Sequence, residues 1–259
     1  MCSSGDEMNV ALSIAGSDSG AGAGLQADLR VFQAAGVHGA SVVTAITAQN
    51  PNNVRSIDPV KAKLVQQQLE SVFEGFKVKA AKTGMLLTAS NVGMVAEWFV
   101  GKKIPLIIDP VMVSTSGTVL LKTNAIRSLQ KRLLPLASLV TPNISEAERL
   151  TGFKIREESD QQTAARAIYE VYGCAVLLKG GHLEGMRAAD TFFDGKEVTV
   201  LSVKRVKAKQ LPGTGCYYSA RITAELAKGK NLLSAIRAAK KCITAAINRP
   251  RRVGRQSIL

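Results

Sequence analysis

The stretch Val10-Ala11-Leu12-Ser13-Ile14-Ala15-Gly16-Ser17-Asp18-Ser19-Gly20-Ala21-Gly22-Ala23-Gly24-Leu25-Gln26-Ala27-Asp28 passes from an apolar run, through a chain of small residues, into an amphipathic segment. Val10–Ile14 has strand length, and Leu25, Leu29 and Phe32 recur at the spacing of one helix face. Strand, tight loop and helix in succession make a first βα unit. The same alternation continues outward, with apolar runs at Ser41–Ala48, Val78–Lys82, Leu106–Asp109, Leu139–Thr141 and Ala175–Lys179. Between two of them, Val65, Leu69, Val72, Phe73 and Phe76 line one helical face. Strands without clear polar alternation, separated by helices, imply a mostly parallel sheet covered on both faces. The predicted class is therefore α/β, a three-layer doubly wound fold. Thr191–Phe193 and Val198–Val203, joined across Asp194-Gly195, predict a β-hairpin, and helices are expected from Thr214 and from Asn231.

The 259 residues contain no linker rich in Ser, Gly or Pro, so residues 1–259 are expected to form one domain, ending in a short basic arm over 248–259. No apolar run approaches the roughly 18 residues needed to span a bilayer. Four dispersed cysteines, Cys2, Cys174, Cys216 and Cys242, form no C-x-x-C pair and suggest a reducing compartment. The N-terminus lacks an apolar signal region. A cytoplasmic protein is expected. The net charge is +14, but nine cations fall after Glu225, where no acid follows, leaving +5 for the rest. That tail has no aromatic residue for base stacking, so a solvated face is expected there and not a nucleic-acid interface.

Ligands of such folds sit beyond the carboxyl ends of the strands. The run Gly16 to Gly24 is neither a dinucleotide fingerprint, since Leu25 stands where the third glycine belongs, nor a Walker A loop. Its small residues suit close approach to a flat ligand, with Asp28 able to accept hydrogen bonds; a loose turn is the plainer account. Asp109-Pro110-Val111-Met112 and Thr141-Pro142-Asn143-Ile144-Ser145-Glu146 place oxygen donors at two strand ends, as magnesium on a nucleotide phosphate requires. Asn143 or Ser145 could equally cap a helix, with Glu146 at its positive end. Gly213-Thr214-Gly215-Cys216 exposes backbone amides at a helix start, an anion site. A thiol there is expected to have a lowered pKa and to serve as a base, although a buried structural cysteine also fits. Lys179 ends a strand where it could reach a transferring phosphoryl group, and Lys82 ends another before Gly84-Met85; an ordinary solvated charge fits either. His38 and His182 share no metal-ligand spacing.

In this order the junctions resemble the ribokinase-like superfamily, and most closely the hydroxymethylpyrimidine/phosphomethylpyrimidine kinases. The likeness runs from Val10 to Ala246. It is carried by Ile14-Ala15-Gly16-Ser17-Asp18, Gly22-Ala23-Gly24-Leu25-Gln26-Ala27-Asp28, Thr47-Ala48-Gln49-Asn50, Lys82-Thr83-Gly84-Met85-Leu86, Asp109-Pro110-Val111-Met112, Thr141-Pro142-Asn143, Lys179-Gly180-Gly181-His182 and Gly213-Thr214-Gly215-Cys216. The resemblance implies a ribokinase-like fold and ATP-dependent phosphorylation of 4-amino-5-hydroxymethyl-2-methylpyrimidine and of its monophosphate in thiamin biosynthesis. It implies a pyrimidine pocket of Gly16, Ala23, Asp28, Gln49 and Met85. Asp109 and Glu146 would serve magnesium. Lys179, Asn143 and Thr214 would meet ATP, and the amides of Gly213, Thr214, Gly215 and Cys216 would meet the transferring phosphoryl group with Cys216 as base. A homodimer acting on small molecules is also implied.

The chain departs from the family at Leu211-Pro212, where Thr-His is usual, at Tyr217-Tyr218, at Thr83 and in its basic C-terminus. Altered geometry at the anion site is expected. A pyridoxal or pyridoxine kinase of the same branch, and a pyrimidine-binding protein without turnover, are the competing readings.

Overall fold

A computed structural model describes residues 7–50, 53–113, 117–181, 187–205, 211–253 and 256–258; Cys2 and His182 lie outside them. Its strands are β1 (Val10–Asp18), β2 (His38–Asn50), β3 (Asn53–Pro59), β4 (Val78–Thr83), β5 (Leu106–Ile108), β6 (Leu139–Val140), β7 (Ala175–Leu178), β8 (Arg187–Phe193) and β9 (Val198–Lys204). They form one sheet in the order β3-β2-β1-β4-β5-β6-β7-β8-β9. From β2 through β7 all pairings are parallel, and β3, β8 and β9 extend the two edges in antiparallel fashion. The predicted doubly wound class is the observed one.

Period-two alternation of apolar side chains separates two hydrophobic layers. Leu12, Ile14, Leu106, Ile108, Val140, Val176 and Leu178 face one cluster, which also holds residues of α2 (Ala62–Gly75), α3 (Ala89–Phe99), α4 (Thr123–Ser128), α5 (Ile144–Thr151) and α6 (Glu158–Tyr172). Ala11, Ile107, Leu139 and Leu177 face the other, with α1 (Gly24–Ala34), α7 (Thr214–Ala227) and α8 (Leu232–Asn248). Both faces of the central strands are therefore dry. This is why those strands read as unbroken apolar runs.

The hairpin across Asp194-Gly195 is β8–β9, and the helices from Thr214 and Asn231 are α7 and α8, with the Asn231 side chain accepting the Ser234 amide. The strand β3 was not expected, because it is an edge strand with little burial and no apolar run. Phe76 falls just past α2, where its ring stacks on His38 at 5.2 Å between centroids. Beyond α8 the chain forms a small antiparallel hairpin, β10 (Arg251–Val253) with β11 (Gln256–Ile258). No helix among the described residues is long and apolar enough to cross a membrane.

Strand order reverses between β1, which leads to β2 on one side, and β4 on the other. The crevice of a doubly wound sheet opens at this switch point.

Candidate active site

At the switch point the register of β1 on β4 sets Ser13 beside Lys82. Both point toward Asp28 of α1. The Lys82 ammonium lies 2.8 and 2.9 Å from the two Asp28 carboxylate oxygens, and the Ser13 hydroxyl donates to Asp28 Oδ2 at 2.6 Å. All three side chains are buried. Burial pushes the Asp28 carboxyl up and by itself would strip the Lys82 proton; the facing carboxylate outweighs this and holds Lys82 above its ordinary range. The two partners thus shift the same way, and the bidentate geometry decides for the ion pair. Lys82 is not a solvated end-of-strand charge, and Asp28 has its oxygens already occupied.

The glycine-rich loop after β1 is organised by Asp18, whose carboxylate accepts the amides of Gly20 and Ala23, both at 2.8 Å. Gln26 closes the arrangement by accepting the Asp18 amide and donating to Ser17 Oγ. Sequence reasoning gave Asp18 no role, although an Asp two residues before a glycine is the pattern of an Asx turn. Gly16 is buried beneath Met85: a Cβ on it would overlap Met85 Cε. Ser19 ties this loop to β2, its hydroxyl donating to the Gln49 carbonyl while accepting the Gln49 amide. Met85 thus lies on Gly16, Asp18 holds the Ala23 amide and Ser19 holds Gln49.

A second cluster lies at the ends of β5, β6 and β7. Lys179 Nζ lies 3.0 Å from Asp109 Oδ1, while Ser219 of α7 donates to Asp109 Oδ2 at 3.2 Å and Thr141 to Oδ1 at 3.4 Å. Burial works against the Asp109 charge, but Lys179 and Lys82 outweigh it and hold the carboxyl below its ordinary range. Asn143 and Glu146 form the capping box of α5, each side chain accepting the other's amide at 2.9 and 2.8 Å. The capping role is therefore real. Glu146 is also buried near Lys179 and Asp109; burial pushes it up to about 7, with Asp109 adding and Lys179 opposing. Among the described residues no three His, Cys, Asp or Glu side chains converge. Two carboxylates beside one lysine still suit a hard cation held largely through phosphates and water.

The start of α7 closes the site. Gly213 adopts φ +76°, and a Cβ there would overlap the Gly22 carbonyl oxygen, so the motif abuts the loop after β1. Pro212 packs on the same loop, 3.5 Å from where a Gly22 Cβ would stand. The first intrahelical bond is from Tyr217 N–H to the Gly213 carbonyl at 2.8 Å, so the amides of Thr214, Gly215 and Cys216 precede the ladder. A Cβ built on Gly215 would lie 3.4 Å from Lys179 Nζ and 3.6 Å from Asp109 Oδ2. The amide cluster and the Lys179–Asp109 pair are therefore neighbours.

Cys216 corrects one expectation. Its thiol is not depressed: burial pushes it up to about 11, with Lys82 and a backbone hydrogen bond from Gly24 opposing. The helix start and a nearby cation do not compensate for the lost solvent. Of the departures from the family, Thr83 is buried with its hydroxyl lacking a partner among the described residues, Tyr218 is buried and Tyr217 half-buried. A hollow of about 410 Å³ between β9 and α8 lies away from all of these groups, lined by Arg237, Lys241 and Thr244 among others.

Comparison with known proteins gives the family. A family model described as phosphomethylpyrimidine kinase matches residues 18–258. The chain belongs to the phosphomethylpyrimidine kinase family. A hydroxymethylpyrimidine/phosphomethylpyrimidine kinase of Rhizobium meliloti is 48% identical over 92% of this chain and 90% of its own. Among solved structures, the phosphomethylpyrimidine kinase of Clostridium difficile superposes with a TM-score of 0.81 at 40% identity, over 92% of this chain and 99% of that one. The ADP complex of Bacillus subtilis pyridoxal kinase does so with 0.90 at 37% identity, over 97% of both. Phosphomethylpyrimidine kinases and pyridoxal kinases thus share this ribokinase-like frame.

Proposed function

We propose that this family member transfers the γ-phosphoryl group of ATP to the hydroxymethyl group of 4-amino-5-hydroxymethyl-2-methylpyrimidine, and then to the resulting monophosphate, in thiamin biosynthesis. The observation that carries the reading is the meeting of Lys179 and Asp109 with the free amides of α7 at Gly215, where the start of α7 abuts the loop of small residues after β1. The pyrimidine sits against Gly16, Ala23, Gln49 and Met85, with Asp28 and Lys82 at the base of the pocket. Lys179, Asn143 and Thr214 receive the ATP phosphates. Asp109 and Glu146 would hold magnesium, which supplies neutralisation of phosphate charge.

As the hydroxyl oxygen bonds to the γ-phosphorus, the bond from phosphorus to the bridging oxygen breaks and its electron pair leaves with ADP. The amides of Gly213, Thr214, Gly215 and Cys216 meet the equatorial charge of the transferring group. Cys216 receives the hydroxyl proton as its thiolate, the minor form at neutral pH because burial pushes the thiol up to about 11, and positioning and electrostatics carry most of the rate. The active unit is a single-domain protomer in a cytoplasmic homodimer.

The test is product formation from ATP with hydroxymethylpyrimidine, its monophosphate and pyridoxal offered separately, products being identified by mass. Turnover of the first two is expected. Preference for pyridoxal would move the chain to the pyridoxal kinase branch, and pyrimidine binding without any turnover would make it a binder.

A further inference from the structure

We infer that Asp190, on β8 and outside the site described above, is a positioning residue that sets Lys179 through the backbone of Gly180. The inference rests on the proposed role of Lys179 in phosphate binding. Asp190 Oδ1 accepts the Gly180 amide at 3.1 Å, one residue beyond Lys179, and Asp190 Oδ2 meets Lys240 of α8 at 2.6 Å. Asp190 and Lys240 are both buried.

The segment they hold has no slack. The Lys179 amide donates to the Pro142 carbonyl at 2.8 Å, which fixes the segment on its β6 side. A Cβ on Gly180 would overlap the Ala189 carbonyl oxygen and would lie 2.7 Å from Gln161 Oε1, so the Gly180 backbone is pressed between β8 and α6. The Tyr218 hydroxyl, two residues beyond Cys216, is buried near the same Asp190 carboxylate without a hydrogen-bond partner among the described residues. One carboxylate therefore touches the lysine loop directly and borders the helix that carries the amide cluster. An ordinary surface pair would not be placed so. The Lys240 ammonium balances the Asp190 charge, leaving one oxygen directed at the Gly180 N–H.

Removing Asp190 alone leaves Lys240 buried without its counter-charge, so two double variants separate positioning from stability. Asp190→Asn with Lys240→Met keeps an acceptor for the Gly180 amide, whereas Asp190→Ala with Lys240→Met removes it; neither leaves a buried charge. Turnover, KM for ATP and thermal unfolding are measured for both, in the native background and with Lys179→Ala. The expected result is a kcat about tenfold lower or more in the alanine pair than in the asparagine pair, as displacement of a positioned group by about 1 Å produces. That difference should vanish once Lys179 is alanine. Equal kcat in the two pairs, or a difference that persists with Lys179→Ala, would overturn the inference. Full turnover of Lys179→Ala alone would instead remove the Lys179 reading on which it stands.

Discussion

Lys82 Nζ meets both carboxylate oxygens of Asp28, at 2.8 and 2.9 Å, across 54 residues of sequence and with neither side chain exposed. Such a pair contributes little net stability while both partners are present, since desolvation offsets most of the attraction. Removing one partner is different. Lys82→Met should lower unfolding free energy by about 3–5 kcal/mol in chemical denaturation, because Asp28 is left buried and charged with only Ser13 beside it. Adding Asp28→Asn to Lys82→Met should recover most of that loss. A loss under about 1 kcal/mol for the single variant would mean that Asp28 is protonated in the native protein and the pair is neutral.

The Cys216 thiol, raised to about 11 by burial, leads to a prediction opposite to that for an activated cysteine. At pH 7 the thiolate fraction is about 10⁻⁴, rising tenfold per unit until the pH nears the pKa. Alkylation of Cys216 by iodoacetamide, followed by peptide mass mapping, should be slow at neutral pH and still rising at pH 9. A plateau near pH 7 would show a depressed thiol. Cys216→Ala should lower kcat by about 10²–10⁴ and leave pyrimidine binding by calorimetry nearly intact. Unchanged turnover would place the proton acceptor elsewhere.

Much of this site was legible because it is written locally. Asp109, Asn143, Lys179 and Gly213 each follow a strand or open a helix within a residue or two, so reading the strand ends in order located them. The capping of α5 by Asn143 and Glu146 was equally local: the cap forms, and its carboxylate lies beside Lys179 and Asp109. What could not be read is set by register and burial. Ser13 comes beside Lys82 only once β1 pairs with β4, and Asp28 reaches them only when α1 packs back on that face. The Cys216 shift was read with the wrong sign because the helix start is visible in sequence and the desolvation is not. Asp190 carried no signal, since its partners lie 10 and 50 residues away, one in the loop after β7 and the other on α8.

Glu146 should make stability depend on pH. Its carboxyl titrates at about 7 in the folded protein against 4.5 ordinarily, so the native state holds the proton more tightly than the unfolded chain. The stabilisation is fully present below about 4.5 and is lost as pH rises through about 7. In urea denaturation without magnesium, the native protein should lose up to about 3 kcal/mol from this group between pH 5 and pH 8. Glu146→Gln, which keeps an oxygen for the Asn143 amide, should remove that part of the slope. Parallel stability curves for the two proteins would show that Glu146 does not titrate in this window.

Gly16 and Gly213 both lack room for a side chain, but their neighbours differ in what they can yield. At Gly16 the overlapping atom is Met85 Cε, the free end of a flexible side chain at the proposed pyrimidine rim. At Gly213 it is the Gly22 carbonyl oxygen, and φ of +76° adds strain for any residue with a Cβ. Gly16→Ala should therefore cost under about 1 kcal/mol of stability while raising the KM for hydroxymethylpyrimidine, since Met85 must swing into the space the ring would use. Gly213→Ala should cost about 2 kcal/mol or more and lower kcat, because the Gly22 loop and the start of α7 must part and the amides of Thr214, Gly215 and Cys216 move with them. Steady-state kinetics with thermal unfolding distinguishes the two. An unchanged KM in Gly16→Ala would mean that Met85 does not border the pyrimidine, and an unchanged kcat in Gly213→Ala would mean that the α7 amides do not meet the phosphoryl group.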